Sequence, residues 1–303
     1  METARLNVVT GAFSYTGKYI TRQLLAVGEE VITLTGHPNY EDLFDYRVKA
    51  FPFDFDNPGQ LTKSLKGART LYNTYWIRFP RARLTFDKAV ENTKTLVKAA
   101  EEAGIRRIVH ISITNPSEES PFPYFRGKAI VEKAITHSGL SFAIIRPTVI
   151  FGAEDILINN IAWLLKTFPI FAVFGSGDYR IQPVFIEDVA EIAVNAGHGD
   201  KNVVVDAVGP DIFTFDKLVR LIADTVHSHS RVVHVSPGLA LFMAKLVGCW
   251  FRDVVITKDE IEGLMSNLLV SQDPPTGHTR ISEWLNRNAE IIGAKYASEL
   301  ARH

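Results

Sequence analysis

The first half of the chain alternates short apolar runs with longer segments in which apolar residues recur every three or four positions. Short apolar runs are typical of buried parallel strands, and the longer spacing is typical of helices that cover a sheet. The predicted strands are 5–10, 30–35, 48–54, 69–75, 106–112 and 140–146. The predicted helices are 15–27, 58–66, 82–103 and 124–138. This order predicts an α/β fold with a doubly wound parallel sheet of the Rossmann type.

The pattern is less regular after residue 152, where a helix at 184–196 and a strand at 203–209 stand out. We therefore expect a dinucleotide-binding domain at 1–152 and a smaller mixed α/β substrate-binding part at 153–303. The helix at 184–196 is expected to return to the first domain. Since no Gly/Ser linker separates the two parts, the second is expected to pack on the first as a lid.

The most apolar segment is PGLALFMAKLVGCWF at 237–251, which is interrupted only by Lys245. It is shorter than the roughly 18–20 residues of a membrane span, so no transmembrane segment is predicted. The segment predicts a short helix that is either buried or in contact with an apolar partner, such as a membrane surface or another protein. We expect its cysteine, Cys249, to be a buried structural thiol.

Charge and cysteine content exclude several classes of function. The 33 Lys and Arg residues balance 34 Asp and Glu residues, which leaves no electrostatic footprint for nucleic acid. One cysteine cannot form an internal disulfide, and the N-terminus lacks a signal-peptide pattern, so a cytoplasmic protein is expected. We further expect a small-molecule substrate and a monomer or homodimer. His227, His229 and His234 have no carboxylate or cysteine nearby, so no metal site is predicted.

A glycine-containing turn follows the first predicted strand, in the sequence VVTGAFSYTGKYI. Glycines at this place let the backbone approach a pyrophosphate and let the helix N-terminus point at it. The turn therefore predicts a dinucleotide site. Its expected cofactor-binding residues are Gly11, Phe13, Ser14, Tyr15, Thr16 and Gly17.

The end of the second strand bears on the choice of dinucleotide. An acidic side chain there would bind the ribose 2′-hydroxyl and repel a 2′-phosphate. This strand ends with Thr35, Gly36 and His37, all assigned to the cofactor site, and no carboxylate precedes Glu41. We therefore expect NADP, with NAD as the alternative because no arginine stands nearby. Asp54 is a candidate partner of the adenine amino group, or it simply ends the third strand.

The pentapeptide YFRGK places Tyr124 and Lys128 one helical turn apart, after a strand that ends in Ser112. An ammonium near a phenol favours the phenolate, which a tyrosine with a pKa of about 10 needs to act as a base at neutral pH. The alternative interpretation is an aromatic residue and a solvated lysine on one helix.

TGAFSYTG, Ser112, YFRGK and RPTVIFG followed by PVFIEDVAE occur in the order typical of one family. The chain resembles the atypical or extended short-chain dehydrogenases/reductases, the NAD-dependent epimerase/dehydratase family, from residue 5 to about residue 195. Its C-terminal part resembles a bacterial branch related to the nucleotide-binding accessory subunit of respiratory complex I. Ser14 departs from the family, which has a glycine there. Its Cβ is expected to crowd the phosphates, although its hydroxyl could donate to one.

The resemblance implies roles for individual residues. Tyr124 would be the acid/base, and Lys128 would lower its pKa and hold the nicotinamide ribose. Ser112, or Thr114 in its place, would hydrogen-bond the reacting oxygen. Asn92 would support a proton-relay water.

Four further positions complete the predicted site. Pro147, at the end of the sixth strand, is assigned to the cofactor. Trp76 and Arg78 stand where the family has small residues near the nicotinamide, and their bulk predicts a narrowed substrate pocket. Arg180 could grip a substrate phosphate or carboxylate, or it is a surface arginine.

Two classes of function follow. The first is an NAD(P)-dependent oxidoreductase or sugar-nucleotide epimerase/dehydratase that uses the Tyr124/Lys128 pair. The alternative is a non-catalytic protein that holds a dinucleotide, either for structure and assembly or for redox sensing. The pair with Ser112 favours the enzyme, whereas Ser14, Trp76 and the segment 237–251 favour the alternative.

Overall fold

The computed structural model describes residues 5–36, 43–81 and 84–298. The strands are β1 (Leu6–Thr10), β2 (Glu30–Thr35), β3 (Val48–Pro52), β4 (Thr70–Asn73), β5 (Arg107–Ile111), β6 (Ser141–Pro147), β7 (Ile150–Phe151), β8 (Ile170–Phe174), β9 (Arg180–Ile181), β10 (Val184–Phe185), β11 (Val203–Ala207), β12 (Phe213–Thr214) and β13 (Arg231–Val235). The helices are α1 (Tyr15–Ala26), α2 (Pro58–Leu65), α3 (Phe86–Ala103), α4 (Pro123–Thr136), α5 (Leu157–Thr167), α6 (Ile186–His198), α7 (Phe215–Thr225), α8 (Pro237–Phe251), α9 (Lys258–Met265) and α10 (Ile281–Arg287).

The chain divides into two compact units. The first comprises Met1–Pro147 and Val189–Asp206, and the second comprises Thr148–Asp188 and Ala207–His303. Each unit has its own cluster of buried apolar side chains.

A seven-stranded sheet forms the first unit, in the order β11-β6-β5-β4-β1-β2-β3. All pairs from β3 through β6 are parallel. The predicted α/β fold with a doubly wound parallel sheet is therefore confirmed. Because neighbouring strands run in the same direction, their carboxyl ends share one edge, which is where such sheets bind ligands.

One face of this sheet is covered by α2, α3 and α4. Val8, Leu71 and Ile108 lie on three neighbouring strands and belong to the same apolar cluster as Leu96 of α3 and Val131 of α4. Since side chains alternate between the faces of a strand, Thr10, Asn73 and His110, two positions further on, point to this same face.

Some predicted boundaries differ from the structure. The helix predicted from residue 82 begins at Phe86, because the Thr85 side chain accepts the Lys88 N–H and caps it. The helix predicted from residue 184 begins at Ile186, since Val184 and Phe185 pair with β7 instead. The strand predicted at 203–209 is β11, which joins the large sheet beside β6.

The second unit combines short two-stranded sheets, β10-β7, β12-β9 and β13-β8, with helices. Within this unit the Asp188 carboxylate holds the segment around residues 278 and 279, because it accepts the N–H groups of His278 and Thr279 and the Thr279 hydroxyl, each at 2.9 Å. Within the described ranges, no helix has both the length and the apolar character needed to cross a membrane. Cys249 is exposed on α8, so the prediction of a buried thiol is wrong.

Candidate active site

The predicted site residues of the first unit follow the carboxyl ends of six parallel strands. Gly11 to Gly17 follow β1, Thr35 ends β2 and is followed by Gly36, and Asp54 follows β3. Trp76 and Arg78 follow β4, Ser112 and Thr114 follow β5, and Pro147 ends β6. Asn92 lies on α3, and Tyr124 and Lys128 lie on α4. His37 lies outside the described residues, and Arg180 lies in the second unit, where it is exposed on β9.

The turn after β1 is built so tightly that side chains are excluded at two positions. Gly11 has a φ of +66°, in the left-handed region that glycine tolerates. A Cβ on Gly17 would overlap the carbonyl oxygen of Gly11. The Gly11 N–H donates to the carbonyl of Leu34 at 3.0 Å, which fixes the turn to β2. This backbone cradle fits the pyrophosphate of a dinucleotide.

Ser14 belongs to the turn itself. Its hydroxyl donates to the Gly11 carbonyl at 2.6 Å, and its side chain does not cap α1. The first N–H groups of a helix lack partners within the helix and attract an anion. The Ser14 hydroxyl, which we expected to donate to a phosphate, therefore donates to the Gly11 carbonyl instead. It does not cap the N-terminus of α1.

A row of buried polar side chains crosses the sheet from β1 to β5. Thr10 Oγ1 donates to Asn73 Oδ1 at 3.3 Å, and Asn73 Nδ2 donates to His110 Nδ1 at 3.0 Å. The Thr74 N–H donates to the same Thr10 oxygen at 2.8 Å. The pKa of His110 lies well below its ordinary value, mainly because the ring is buried and secondly because the Lys128 ammonium is nearby. The ring is therefore neutral. The row fixes the start of the loop that carries Trp76.

Asn92 contacts a tyrosine of that loop. Its Nδ2 donates to the Tyr75 hydroxyl at 2.9 Å, and the Tyr75 ring packs against Phe53 and Phe55 with centroid distances of 5.2 and 5.1 Å. Burial raises the pKa of Tyr75, which the hydrogen bond from Asn92 partly offsets. In this arrangement Asn92 positions the loop after β4.

Tyr124 and Lys128 surround the indole of Trp76. The Tyr124 ring meets Trp76 edge to face at a centroid distance of 6.0 Å, and Lys128 Nζ lies 4.7 Å from the centre of the indole. Gly127 lies between them on α4, and a Cβ there would come within 2.9 Å of the indole. The missing side chain at Gly127 therefore makes room for Trp76.

The Lys128 ammonium is almost fully buried. Its Nζ donates to the carbonyl of Ile111 at 2.8 Å, and only 3% of the residue is exposed. Burial lowers its pKa to about 7, and the charge of Glu132 opposes this shift. A strongly perturbed pKa beside a polar cluster is typical of functional sites.

Ser112 follows the residue whose carbonyl binds Lys128. Its hydroxyl is buried, and no hydrogen-bond partner for it occurs among the described residues. Trp76 Nε1 and His110 Nε2 are buried in the same state. Buried polar atoms normally form a hydrogen bond to protein, water or ligand, so each of these three atoms could bind a water molecule or a ligand atom. Thr114, the alternative to Ser112, instead donates to the Arg146 carbonyl at 3.0 Å.

The remaining predicted residues have ordinary local contacts. Asp54 Oδ1 accepts the Asp56 N–H at 3.0 Å, which stabilises the turn after β3. The Arg78 guanidinium lies 5.7 Å from the centre of the Phe79 ring. The Pro147 carbonyl accepts the Thr114 N–H at 3.0 Å.

Comparison with known proteins adds to this geometry. Residues 11–155 match a family model described as NAD(P)H-binding. The chain is 25% identical over 289 residues to NADH dehydrogenase (ubiquinone) 1 alpha subcomplex subunit 9, mitochondrial, of Arabidopsis thaliana, covering 88% of this chain and 71% of the relative. The first half of the chain is thus similar to NAD(P)H-binding proteins, and most of the chain is similar to the complex I subunit.

Two further matches lie among reductases. The chain is 25% identical over 250 residues to ceramide reductase of Caulobacter vibrioides, covering 80% of this chain and 77% of the relative. The crystal structure of triphenylmethane reductase from Citrobacter sp. complexed with NADP(H) superposes with a TM-score of 0.76 at 18% identity, over 93% of this chain and 99% of that one. That likeness concerns the fold. The predicted resemblance to this NAD(P)H-binding family, including the distant relation to the complex I subunit, is confirmed.

Several residues of the candidate site were missed in the sequence. Asn73 and His110 lie in runs that we interpreted only as strands, although polar side chains in otherwise apolar strands are a signal in themselves. Gly127 sits inside YFRGK, and a glycine in the middle of a helix also calls for a packing explanation.

Proposed function

We propose that this protein is an NAD(P)H-dependent oxidoreductase that acts on the carbonyl or hydroxyl group of a small molecule. The single observation that carries the proposal is the Ser112 hydroxyl, which is buried without a partner among the described residues and belongs to the residue after Ile111, whose carbonyl binds Lys128. The same residues would also serve a sugar-nucleotide epimerase or dehydratase, in which hydride leaves and returns.

The roles of the residues follow from their chemistry. Gly11, Gly17 and the N-terminus of α1 would hold the pyrophosphate, and the bound nicotinamide would supply hydride transfer. The Tyr124 phenol would donate a proton to the substrate oxygen, and the Ser112 hydroxyl would hydrogen-bond that oxygen as it gains negative charge. The Lys128 ammonium would lower the pKa of the phenol.

NADP(H) is the proposed cofactor in preference to NAD(H). Thr35 ends β2 and Gly36 follows it, neither with a carboxylate, and among the described residues a Cβ built on Gly36 meets no atom within 4 Å. The described residues therefore leave room for a 2′-phosphate beside Gly36. The dissociation constant should be lower for NADPH than for NADH, and tighter binding of NADH would contradict this preference.

Transfer of an isotope tests the oxidoreductase directly. NADPH deuterated at C4 of the nicotinamide would be incubated with the protein and a panel of aldehydes and ketones. Deuterium should appear on the carbon of at least one product, as mass spectrometry would show. A protein that binds NADPH but transfers no deuterium would contradict the proposal.

A second candidate is a protein that holds a dinucleotide without turnover. The observation that favours it is the indole of Trp76, which covers an ammonium already bound to a main-chain carbonyl. The relative from Arabidopsis thaliana, named as a subunit of NADH dehydrogenase, is consistent with this role. Retention of NADPH through purification, together with failure of the isotope test, would support this candidate.

A further inference from the structure

The outward side of α8 carries a stripe of exposed apolar side chains. Leu239, Phe242, Leu246 and Trp250 are 48%, 58%, 57% and 84% exposed. Their spacing of three, four and four residues places them on one side of the helix. We call these four residues the α8 stripe.

The other side of α8 is packed within the second unit. Ala240 and Gly248 are buried, and Phe251 meets Trp163 at a centroid distance of 4.9 Å. A Cβ on Gly248 would overlap the carbonyl oxygen of Asp253, which follows the helix closely. The stripe is thus held on an anchored helix. A helix that is apolar all round normally has apolar contacts on every side.

Charge indicates the nature of the missing contact. The segment 237–251 contains no acidic residue, and Lys245 is exposed on the outward side beside Leu246. Arg252 is exposed directly after the helix. The first acidic residue after the segment, Asp253, is buried and accepts the Tyr296 hydroxyl at 3.0 Å. The outward side therefore combines apolar and cationic character.

We propose that the α8 stripe docks this protein on an anionic lipid surface, with α8 lying in the plane of the interface. Interfacial helices have apolar residues on one side and cations that attract anionic headgroups. Lys245 can extend its ammonium to the headgroups while its stem stays among the apolar groups. The phenylalanine and the tryptophan would enter the boundary between headgroups and acyl chains.

Other occupants fit less well. Protein interfaces carry about one hydrogen bond per 100–200 Å², whereas the stripe offers no side-chain acceptor and hydrocarbon needs none. A symmetric dimer through α8 would bring this patch against itself, with Lys245 and Arg252 facing their own copies. Both features favour lipid.

Vesicle binding tests the proposal with the full-length protein. Cys249 is the only cysteine in the chain and is exposed on α8, so an environment-sensitive fluorophore can be attached there. Vesicles of phosphatidylserine and phosphatidylcholine in equal parts should shift its emission to the blue, and phosphatidylcholine alone should do so far less. Unlabelled protein should co-sediment with the same vesicles.

Matched variants identify the surface. Leu246→Asn and Trp250→Ser should each weaken binding to the anionic vesicles by about tenfold or more, because each removes an exposed apolar group that the lipid would bury. Ile291→Asn is the control, since Ile291 is 60% exposed in the same unit but lies outside α8, and it should bind as the wild type does. Unchanged thermal stability of all three variants would show that they fold.

Three results would overturn the proposal. The first is that the protein does not bind anionic vesicles. The second is that Ile291→Asn weakens vesicle binding as much as Leu246→Asn and Trp250→Ser do. The third is that the protein binds no vesicles but forms a dimer in solution, which Leu246→Asn dissociates. The last result would assign the stripe to a second copy of the chain.

Discussion

The turn after β1 and the end of β5 lie on the same edge of the sheet, yet different atoms build them. At the turn, main-chain atoms of Gly11 and Gly17 make the cradle, and its serine only closes the turn. At the end of β5, the arrangement depends on side chains, with Trp76 packed on Lys128 beside the Ser112 hydroxyl. The turn should therefore tolerate side-chain changes except at its glycines, whereas the β5 end should respond to each substitution.

The largest effect is expected for Gly17→Ala. Its new Cβ would overlap the Gly11 carbonyl oxygen, so the turn must open and the helix N-terminus must move. The dissociation constant for NADPH should rise by about 100-fold, which corresponds to ~2.7 kcal/mol. Titration of NADPH fluorescence would measure it.

Gly59→Ala is the matched control for this experiment. Gly59 also lies in the first turn of a helix, but its Cβ would meet only Asn57 Oδ1, at 3.9 Å. NADPH affinity should stay at the wild-type value. If Gly17→Ala also binds NADPH like the wild type, the turn does not hold the pyrophosphate.

A double-mutant cycle tests the side-chain packing at the β5 end. Gly127→Ala should lower the free energy of unfolding by about 1–3 kcal/mol, because its Cβ lies 2.9 Å from the Trp76 ring. Trp76→Phe should also destabilise, but the smaller ring makes room for the alanine. The loss of unfolding free energy in the double variant should thus be smaller than the sum of the losses in the two single variants, as measured by urea unfolding. Losses that add within about 0.5 kcal/mol would contradict this contact.

Lys128 should give the folded protein a characteristic dependence on pH. Its pKa is about 7 in the folded protein against an ordinary value of 10.5, so between these values the unfolded chain binds more protons. The contribution of Lys128 to the free energy of unfolding therefore rises as the pH increases from about 7 to 10.5. Relative to Lys128→Met, the wild type should gain about 2 kcal/mol or more in the free energy of unfolding from pH 7 to 10.5.

The change with pH is the informative quantity here, because Lys128→Met also leaves the Ile111 carbonyl without its donor at every pH. Lys98→Met is the control, since Lys98 is exposed on α3, and this variant should follow the wild type. A constant difference between wild type and Lys128→Met across the window would show that Lys128 is not buried as described.

The smallest effect is expected for Ser14→Ala. The hydroxyl donates to the Gly11 carbonyl within the turn, so its loss should cost about 0.5–1 kcal/mol of stability. The dissociation constant for NADPH should change by no more than about threefold, under 1 kcal/mol. A tenfold loss of affinity would mean that the hydroxyl binds a phosphate after all.

The same contrast explains which features could be predicted from the sequence. Apolar runs located the strands from β1 to β6 because buried parallel strands need apolar side chains on both faces. The glycine turn could be recognised because its requirement is local to the backbone. The start of α3 at Phe86 could not be predicted, because the apolar spacing typical of a helix already begins before Thr85, the residue that caps α3.

The side-chain contacts of the site depend on long-range packing. Trp76 and Gly127 are distant in sequence, and only the folded loop after β4 brings the indole over α4. The hydrogen bond between Asn73 and His110 depends likewise on β4 and β5 being neighbours in register. Cys249 shows a related limit, because an apolar segment does not reveal which of its sides is covered.

The most direct test of the account compares Tyr124→Phe with the wild type for both turnover and NADPH binding. Tyr46→Phe is the control, since Tyr46 is 92% exposed. Once a substrate is found, Tyr124→Phe should lower kcat by about 10²–10⁴-fold, the range for loss of a general acid. Its dissociation constant for NADPH should stay at the wild-type value. A variant that keeps its turnover would contradict the role of Tyr124, and one that loses NADPH binding would contradict the division between a backbone-built cradle and a side-chain-built centre.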